Sequence, residues 1–306
     1  MPRIGHVLSW AIGTAFVACL VLLFLARARA GAQPNERDVT YGEADGQKLL
    51  LDVYLPEKPG AAAVNSAPRP AVLFVHGGGW RGGNKRDFGA LAAGVAKQGY
   101  VCFSVDYRLV ASNRNLWPAA WDDVQRAVRW VRANAARYHV DPQRIAAVGA
   151  SAGGHLVALL GTTDTRDNSD PRLASYSSRV DCVVDMFGPV DFTAAMKPKA
   201  PGIDVPALVS QLMGKSLQEA PQLYREASPL FHVDRKSAPF LILHGTADPW
   251  VPVEQSERFD AALRSAGIES TLIKFEGEGH GFKNRENVEK FVLAMRDFLK
   301  RHLQPR

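Results

Sequence analysis

An apolar run, Ile145-Ala-Ala-Val-Gly149-Ala150, stops at Ser151, and Ala152-Gly153-Gly154 then leads into the helix-compatible segment His155–Leu160. A chain at such a junction has few conformations open to it. A strand that turns directly into a helix crowds its own backbone, so the positions two before and two after the serine must be small. Gly149 and Gly153 meet that demand. The turn lifts the hydroxyl clear of the strand. The new helix aims its unpaired N–H groups and positive dipole end at the same spot. Gly-x-Ser-x-Gly is weak evidence by itself, because Gly and Ser populate ordinary turns. Two other segments add weight.

Upstream, Pro70-Ala-Val-Leu-Phe-Val75 reads as a buried strand running into His76-Gly77-Gly78-Gly79-Trp80. Consecutive glycines there let the backbone approach a ligand with its N–H groups turned inward. Downstream, the strand Phe240–Leu243 ends in His244-Gly-Thr-Ala-Asp248-Pro-Trp-Val-Pro252. The strand Thr271–Phe275 ends in Glu276-Gly-Glu-Gly-His280-Gly-Phe282. Ser151, Asp248 and His280 thus fall at three strand ends in the chain order Ser…Asp…His, an order that belongs to one fold.

The 306 residues, 46% hydrophobic and 22% charged, suit one large α/β domain over about 38–306. Residues 1–32 stand apart. Arg3 precedes an apolar run from about Val7 to Leu25, and Ala30 and Ala32 place a signal-peptidase site before Gln33. The run is also close to bilayer-spanning length, and Arg27 and Arg29 behind it disfavour export. The segment is therefore read as a cleaved signal of an exported protein or as an uncleaved membrane anchor. Net charge is +6, of which Arg3, Arg27 and Arg29 supply three while residues 1–32 hold no acid, leaving about +3. The remaining Lys and Arg alternate with acids, and no basic stripe with interleaved aromatics points to nucleic acid. Three cysteines exclude a disulfide scaffold; Cys102 and Cys182 lie in apolar runs as buried thiols. The scattered histidines have no metal-ligand spacing, so no metal is expected.

Lys48–Leu55 and the residues around Val39 read as a hairpin with its turn at Asp45-Gly46. A helix follows over about Asp87–Gln98, then a strand over Val101–Tyr107. Trp121, Val124, Val128 and Val131 recur at helical spacing, with Asp122, Asp123, Arg126, Arg129 and Arg132 mostly on the other faces. Residues 191–237 break the alternation with five prolines and two short helical pieces, about Val205–Met213 and Glu219–Glu226, and read as a cap insertion. Met196, Leu208, Leu212 and Met213 are candidates there for a lid or pocket wall, or for simple packing. Strand and helix alternation elsewhere implies a mostly parallel sheet flanked by helices.

With these motifs the chain resembles the α/β-hydrolase superfamily over about Val39–Leu303. It is most similar to the esterase/lipase branch with the His-Gly-Gly-Gly-Trp loop, the hormone-sensitive-lipase-like and bacterial feruloyl or xylan esterases. Asp106-Tyr-Arg-Leu109 looks like a strand-end motif of that group. Ala150 replaces the Asp that commonly precedes the serine, Val110-Ala-Ser-Asn replaces Ala-Pro-Glu, and long N-terminal cap helices are missing. The compact feruloyl/xylan-esterase type is the better match, and no large lid is expected. The resemblance implies an eight-stranded sheet, with the Cys102 and Cys182 strands three steps and about 14 Å apart. That exceeds the ~7 Å Cα separation a disulfide tolerates.

The resemblance also implies a chemistry. His280 takes the proton of Ser151, Asp248 orients the imidazole, and the N–H groups of Gly78, Gly79 and Ala152 form the oxyanion hole, with Gly77 able to share. No cofactor is needed. A small-molecule ester of short acyl or aryl type is the expected substrate. The alternative is an amide, as in kynurenine-formamidase-like enzymes or a small peptidase. Trp80 either walls the acyl pocket or packs the core. His76 and His244 read as braces of their loops and His155 as a packing residue. Asp191 is the rival to Asp248, and Asp106 with Arg108 reads as an ion pair.

Overall fold

The apolar runs enter one sheet. The computed structural model describes residues 33–57, 67–167, 169–194 and 203–303. Its strands are β1 (Glu36–Ala44), β2 (Gln47–Tyr54), β3 (Arg69–Val75), β4 (Val101–Val105), β5 (Val140–Ala150), β6 (Cys182–Met186), β7 (Phe240–Gly245) and β8 (Ser270–Phe275). They lie in the order β1-β2-β4-β3-β5-β6-β7-β8. The hairpin β1–β2 turns at Asp45-Gly46, and β2 meets β4 antiparallel; every later pairing is parallel. This is the mostly parallel α/β-hydrolase sheet that the alternation and the resemblance imply.

The inner parallel strands β4, β6 and β7 are buried throughout, as crossover helices on both faces require, whereas the edge strand β8 is only partly covered. Residues of opposite parity face opposite layers. Leu73, Phe103, Ile145, Val183 and Phe240 pack beneath α2 (Ala119–Ala133), α4 (Ala152–Thr162) and α7 (Glu254–Ser265). Val72, Phe74, Cys102, Val148 and Val184 pack beneath α1 (Gly89–Ala96) and α8 (Arg285–Leu303). A short α3 (Ala135–Tyr138) links α2 to β5. The helix expected over Asp87–Gln98 is divided: a 3₁₀ turn, Lys85–Phe88, capped by the Asn84 side chain, precedes α1. Cys102, Val72, Ala146 and Cys182 form one row across β4, β3, β5 and β6, so the two thiols stand three strands apart, buried and free.

Two readings of charge need correction. Arg108 does not pair with Asp106. It donates to both oxygens of Asp123 and also pairs with Asp45, whereas Asp106 accepts the Lys85 N–H at 2.7 Å. Beyond Val105 the chain leaves the sheet, and each side chain turns to a different neighbour. Asp123, Arg126 and Arg129 of α2 are buried rather than on solvated faces; Arg129 donates to the carbonyls of Leu173 and Tyr176.

Between β6 and β7 stand α5 (Val205–Met213) and α6 (Pro221–Glu226), close to the two expected pieces. Leu212 and Met213 are core residues, whereas Leu208 reaches over the glycine loop. Met196 and the N-terminal segment 1–32 lie outside the described residues. No helix among the described residues is long and apolar enough to cross a membrane.

Candidate active site

Ser151 follows the last residue of β5 and caps α4 with φ 56° and ψ −120°, a positive-φ conformation that costs a non-glycine residue about 1–3 kcal/mol. The surroundings hold it there. Its N–H donates to Met186 O of β6 at 2.9 Å, and its carbonyl accepts the His155 N–H of α4 at 2.9 Å. The small residues that flank it are sterically required. A Cβ on Gly149 would lie 2.3 Å from Gly153 O, and one on Gly153 would lie 2.0 Å from Val75 O.

The side chain meets a partner from the far end of the chain. His280 Nε2 is 2.8 Å from Ser151 Oγ, and His280 Nδ1 is 2.6 Å from Asp248 Oδ2. A carboxylate on Nδ1 fixes the hydrogen there and leaves Nε2 to accept the serine O–H. Asp248 is itself held: Oδ1 accepts the N–H groups of Trp250 and Val251 at 2.9 and 3.0 Å. Burial opposes its charge. Hydrogen bonds from His244 and His280 outweigh that and keep the carboxyl well below the usual carboxylate range.

The glycine loop closes the other side. Gly78 (φ 113°), Gly79 (φ 59°) and Trp80 (φ 59°) run in succession through positive φ. The Gly78 carbonyl accepts the N–H groups of Arg81 and Gly82 at 3.1 and 3.0 Å, which closes a tight turn after the glycines. Ala152 opens α4, where first-turn N–H groups have no partner within the helix.

The remaining candidates separate cleanly. Of the two roles open to Trp80, the structure places the ring in the core: it is 2% exposed, edge-on to His155 and Phe192, and its indole N–H donates to His155 Nδ1 at 3.2 Å. His155 passes its own N–H on to Ala227 O at 2.7 Å, a packing role. His76 stacks on Tyr107 with ring centres 4.3 Å apart and contacts Gly77 O, bracing its loop. Asp191 is occupied by Thr193, Ala194 and Arg258, and the carboxylate on His280 Nδ1 is that of Asp248. A cavity of about 430 Å³ lies within the insertion, lined by Phe192, Val209, Leu217 and Tyr224 among others; Ser151 and His280 are not in its wall.

Sequence reasoning missed the rings around His280. Phe187 and Trp250 stand 4.6 and 4.9 Å from its ring centre. Trp250 carried a signal, being two residues past Asp248. Phe187 carried little, because its position depends on a positive φ of 45° before Gly188.

Residues 51–263 match the BD-FAE family. The chain belongs to that family. Named esterases are among the relatives of this BD-FAE chain. Esterase LipC of Mycobacterium tuberculosis is 35% identical over 251 residues, covering 81% of this chain and 60% of LipC. The chain thus spans about three-fifths of the length of that relative. The propionate-bound structure of a thermophilic esterase from Thermogutta terrifontis, Est2, superposes with TM-score 0.73 at 28% identity, covering 92% of this chain and 99% of that one. A truncated carbohydrate esterase from gut microbiota has TM-score 0.73 and 30% identity, covering 87% of this chain and 95% of its own.

Proposed function

We propose that this chain is a serine carboxylic-ester hydrolase that acts on short acyl or aryl esters through a Ser-His-Asp acyl-enzyme mechanism. One observation carries the reading: the unbroken hydrogen-bonded path from Ser151 Oγ through both nitrogens of His280 to Asp248. A hydroxyl at neutral pH is a poor nucleophile until a base takes its proton. Ser151 Oγ attacks the ester carbonyl carbon as its proton passes to His280 Nε2, and the carbonyl π pair moves onto oxygen. Gly78, Gly79 and Ala152 offer N–H groups to that oxyanion. As the tetrahedral centre collapses, the C–O bond to the alcohol breaks, and the leaving oxygen takes the proton from His280. Water repeats the steps on the acyl-enzyme and releases the carboxylic acid.

The short-acyl preference is supported by the small insertion and by Leu208, which stands against Gly79 and narrows the approach. Structures of the Thermogutta esterase bear propionate and butyrate. Amide hydrolysis is the second reading, motivated by a dipeptidyl aminopeptidase of Pseudoxanthomonas mexicana that is 28% identical over 92% of this chain and 40% of its own length. Residues 1–32 we read as an export signal or membrane anchor, which N-terminal sequencing of the mature protein distinguishes.

The test is a series of p-nitrophenyl esters of increasing chain length, run beside matched amides, with wild type and Ser151→Ala. The expected result is turnover greatest on short esters and reduced at least about 10³-fold in the variant. Undiminished turnover in Ser151→Ala rules out the mechanism, and preference for amides selects the second reading.

A further inference from the structure

Two residues before His280, Glu278 is an acid with no part in the path just described, and it is 6% exposed. A carboxylate buried to that degree needs partners, and Glu278 has three. Oε1 accepts the Asn284 N–H at 2.8 Å and the Asn287 side-chain amide at 2.9 Å, while Oε2 accepts the Lys283 N–H at 3.0 Å. All three donors lie beyond His280, at or near the start of α8. The side chain therefore closes a ring of backbone with His280 inside it.

The backbone of Glu278 faces the opposite way. Its carbonyl accepts the Ala247 N–H at 2.9 Å, immediately before Asp248. It fits so closely that a Cβ on Gly245 would stand 2.3 Å from it. Gly277 N–H reaches Thr246 Oγ1 at 2.9 Å on the same seam. One residue thus joins the turn that carries the acid, the turn that carries the base, and the first turn of the last helix. Burial opposes the charge of Glu278, but the Asn287 amide and the two backbone N–H groups hold its carboxyl below its ordinary value.

We propose that Glu278 is a positioning residue for His280, its carboxylate clamping the turn 278–284 onto α8 so that the imidazole stands within proton-transfer reach of Ser151 and Asp248 together. The inference rests on the serine-hydrolase reading for its kinetic consequence, though not for its structural one. Near-attack geometry tolerates errors of a fraction of an ångström, so a loosened turn lowers the chemical step while substrate binding stays nearly the same. A glutamine retains the oxygen that serves Asn284 and Asn287 but presents an NH₂ to the Lys283 N–H. An alanine removes all three acceptors.

The experiment compares wild type, Glu278→Gln, Glu278→Ala and Asn287→Ala in the full chain. It measures kcat and KM on p-nitrophenyl butyrate, thermal unfolding, and the downfield proton resonance of the His280 Nδ1–H···Asp248 hydrogen bond. The expected result is a kcat loss of about 30- to 100-fold in Glu278→Ala and about 3- to 10-fold in Glu278→Gln and Asn287→Ala, with KM within about twofold. The downfield proton is expected to broaden or vanish in the alanine variant and to persist in the glutamine variant. If Glu278→Ala does not fold, the other two variants carry the same ordering. Wild-type kcat with an intact downfield proton in these variants overturns the proposal. A wild-type protein that hydrolyses no ester overturns the serine-hydrolase reading instead, and the resonance still reports on Glu278.

Discussion

His244 at the end of β7 and Asp248 in the turn after it are four residues apart, and His244 Nε2 is 3.3 Å from the carboxylate oxygen that Nδ1 of His280 approaches at 2.6 Å. Two imidazoles thus converge on a single oxygen. Their duties differ. Ser256 Oγ donates to His244 Nδ1 at 2.7 Å, which leaves the hydrogen on Nε2, where Val251 O at 2.9 Å shares it with Asp248. His244 is locked from every side and cannot swing toward Ser151.

His244→Asn is therefore expected to loosen the Asp248 turn without removing the proposed base, His280. The carboxylate keeps His280 and its two backbone donors but loses one of the groups that hold its charge. Steady-state kinetics are expected to register a kcat loss of about tenfold, roughly 1.4 kcal/mol of barrier, with KM little changed. A loss as large as that of His280→Ala would mean that His244 takes part in proton transfer.

The three candidate residues were legible because each announces itself locally. Ser151, Asp248 and His280 follow apolar runs and sit among glycines that an exposed strand-end side chain needs. The mostly parallel α/β class followed from the same runs, and the strand order from the family resemblance that the motifs carry. What stayed hidden depends on contacts between distant segments. Phe187 reaches His280 only because the β6 end turns through positive φ, and Glu278 is one acid among many until α8 docks beside it. The supposed pairing of Asp106 with Arg108 failed for a related reason. Proximity in sequence says little about a partner once the chain has left the sheet, and Lys85 and Asp123 come from elsewhere.

The glycines of the loop proposed to hold the oxyanion are not equivalent. A methyl on Gly78 would press 2.3 Å from the Gly82 carbonyl, a backbone atom that cannot give way, at a φ of 113°. A methyl on Gly79 would stand 3.0 Å from the end of the Leu208 side chain, which can rotate, at a φ of 59° that costs about 1 kcal/mol. Gly78→Ala is expected to lower kcat by about 10²- to 10³-fold, the range seen when one oxyanion donor is lost. Gly79→Ala is expected to lower it by about tenfold or less. Equal losses in a side-by-side ester assay would contradict the steric difference.

His155 gives stability a dependence on acid. Burial lowers its pKa from the ordinary 6.5 to about 4, against the opposing pull of its bond to Ala227 O. The unfolded chain binds this proton more readily than the folded one, so stability falls as pH drops from about 6.5 toward 4. The full loss is on the order of 3 kcal/mol. His155→Gln keeps a donor and an acceptor without titrating. Its unfolding free energy, from urea melts at pH 7.5 and 4.5, is expected to change less than that of the wild type by about that amount. Parallel losses in both proteins would assign the acid sensitivity to other groups.

Asp185 works in the opposite direction. It lies in the middle of the sheet, between Gly149 of β5 and Ile242 of β7, fully buried. Oδ1 accepts the Gly188 N–H at 3.0 Å, and Oδ2 has no partner among the described residues. Burial raises its pKa from 3.8 to about 6, more than the Gly188 hydrogen bond and the nearby His244 lower it. The folded state here binds the proton more tightly than the unfolded chain. Stability is complete below about pH 4 and is lost as pH rises through 6, a cost on the order of 3 kcal/mol once the group is ionised. Asn has the shape of the protonated acid and no charge. Asp185→Asn is thus expected to match the wild type at pH 4 and to exceed it by up to that amount at pH 8, with Tm rising accordingly. The kinetic expectation is separate: Gly188 packs against α4 beside the serine turn, and the asparagine carbonyl still accepts its N–H, so kcat should stay within about twofold. A variant less stable than the wild type at pH 8 would mean that the carboxylate is ionised and supported in the fold by partners beyond Gly188.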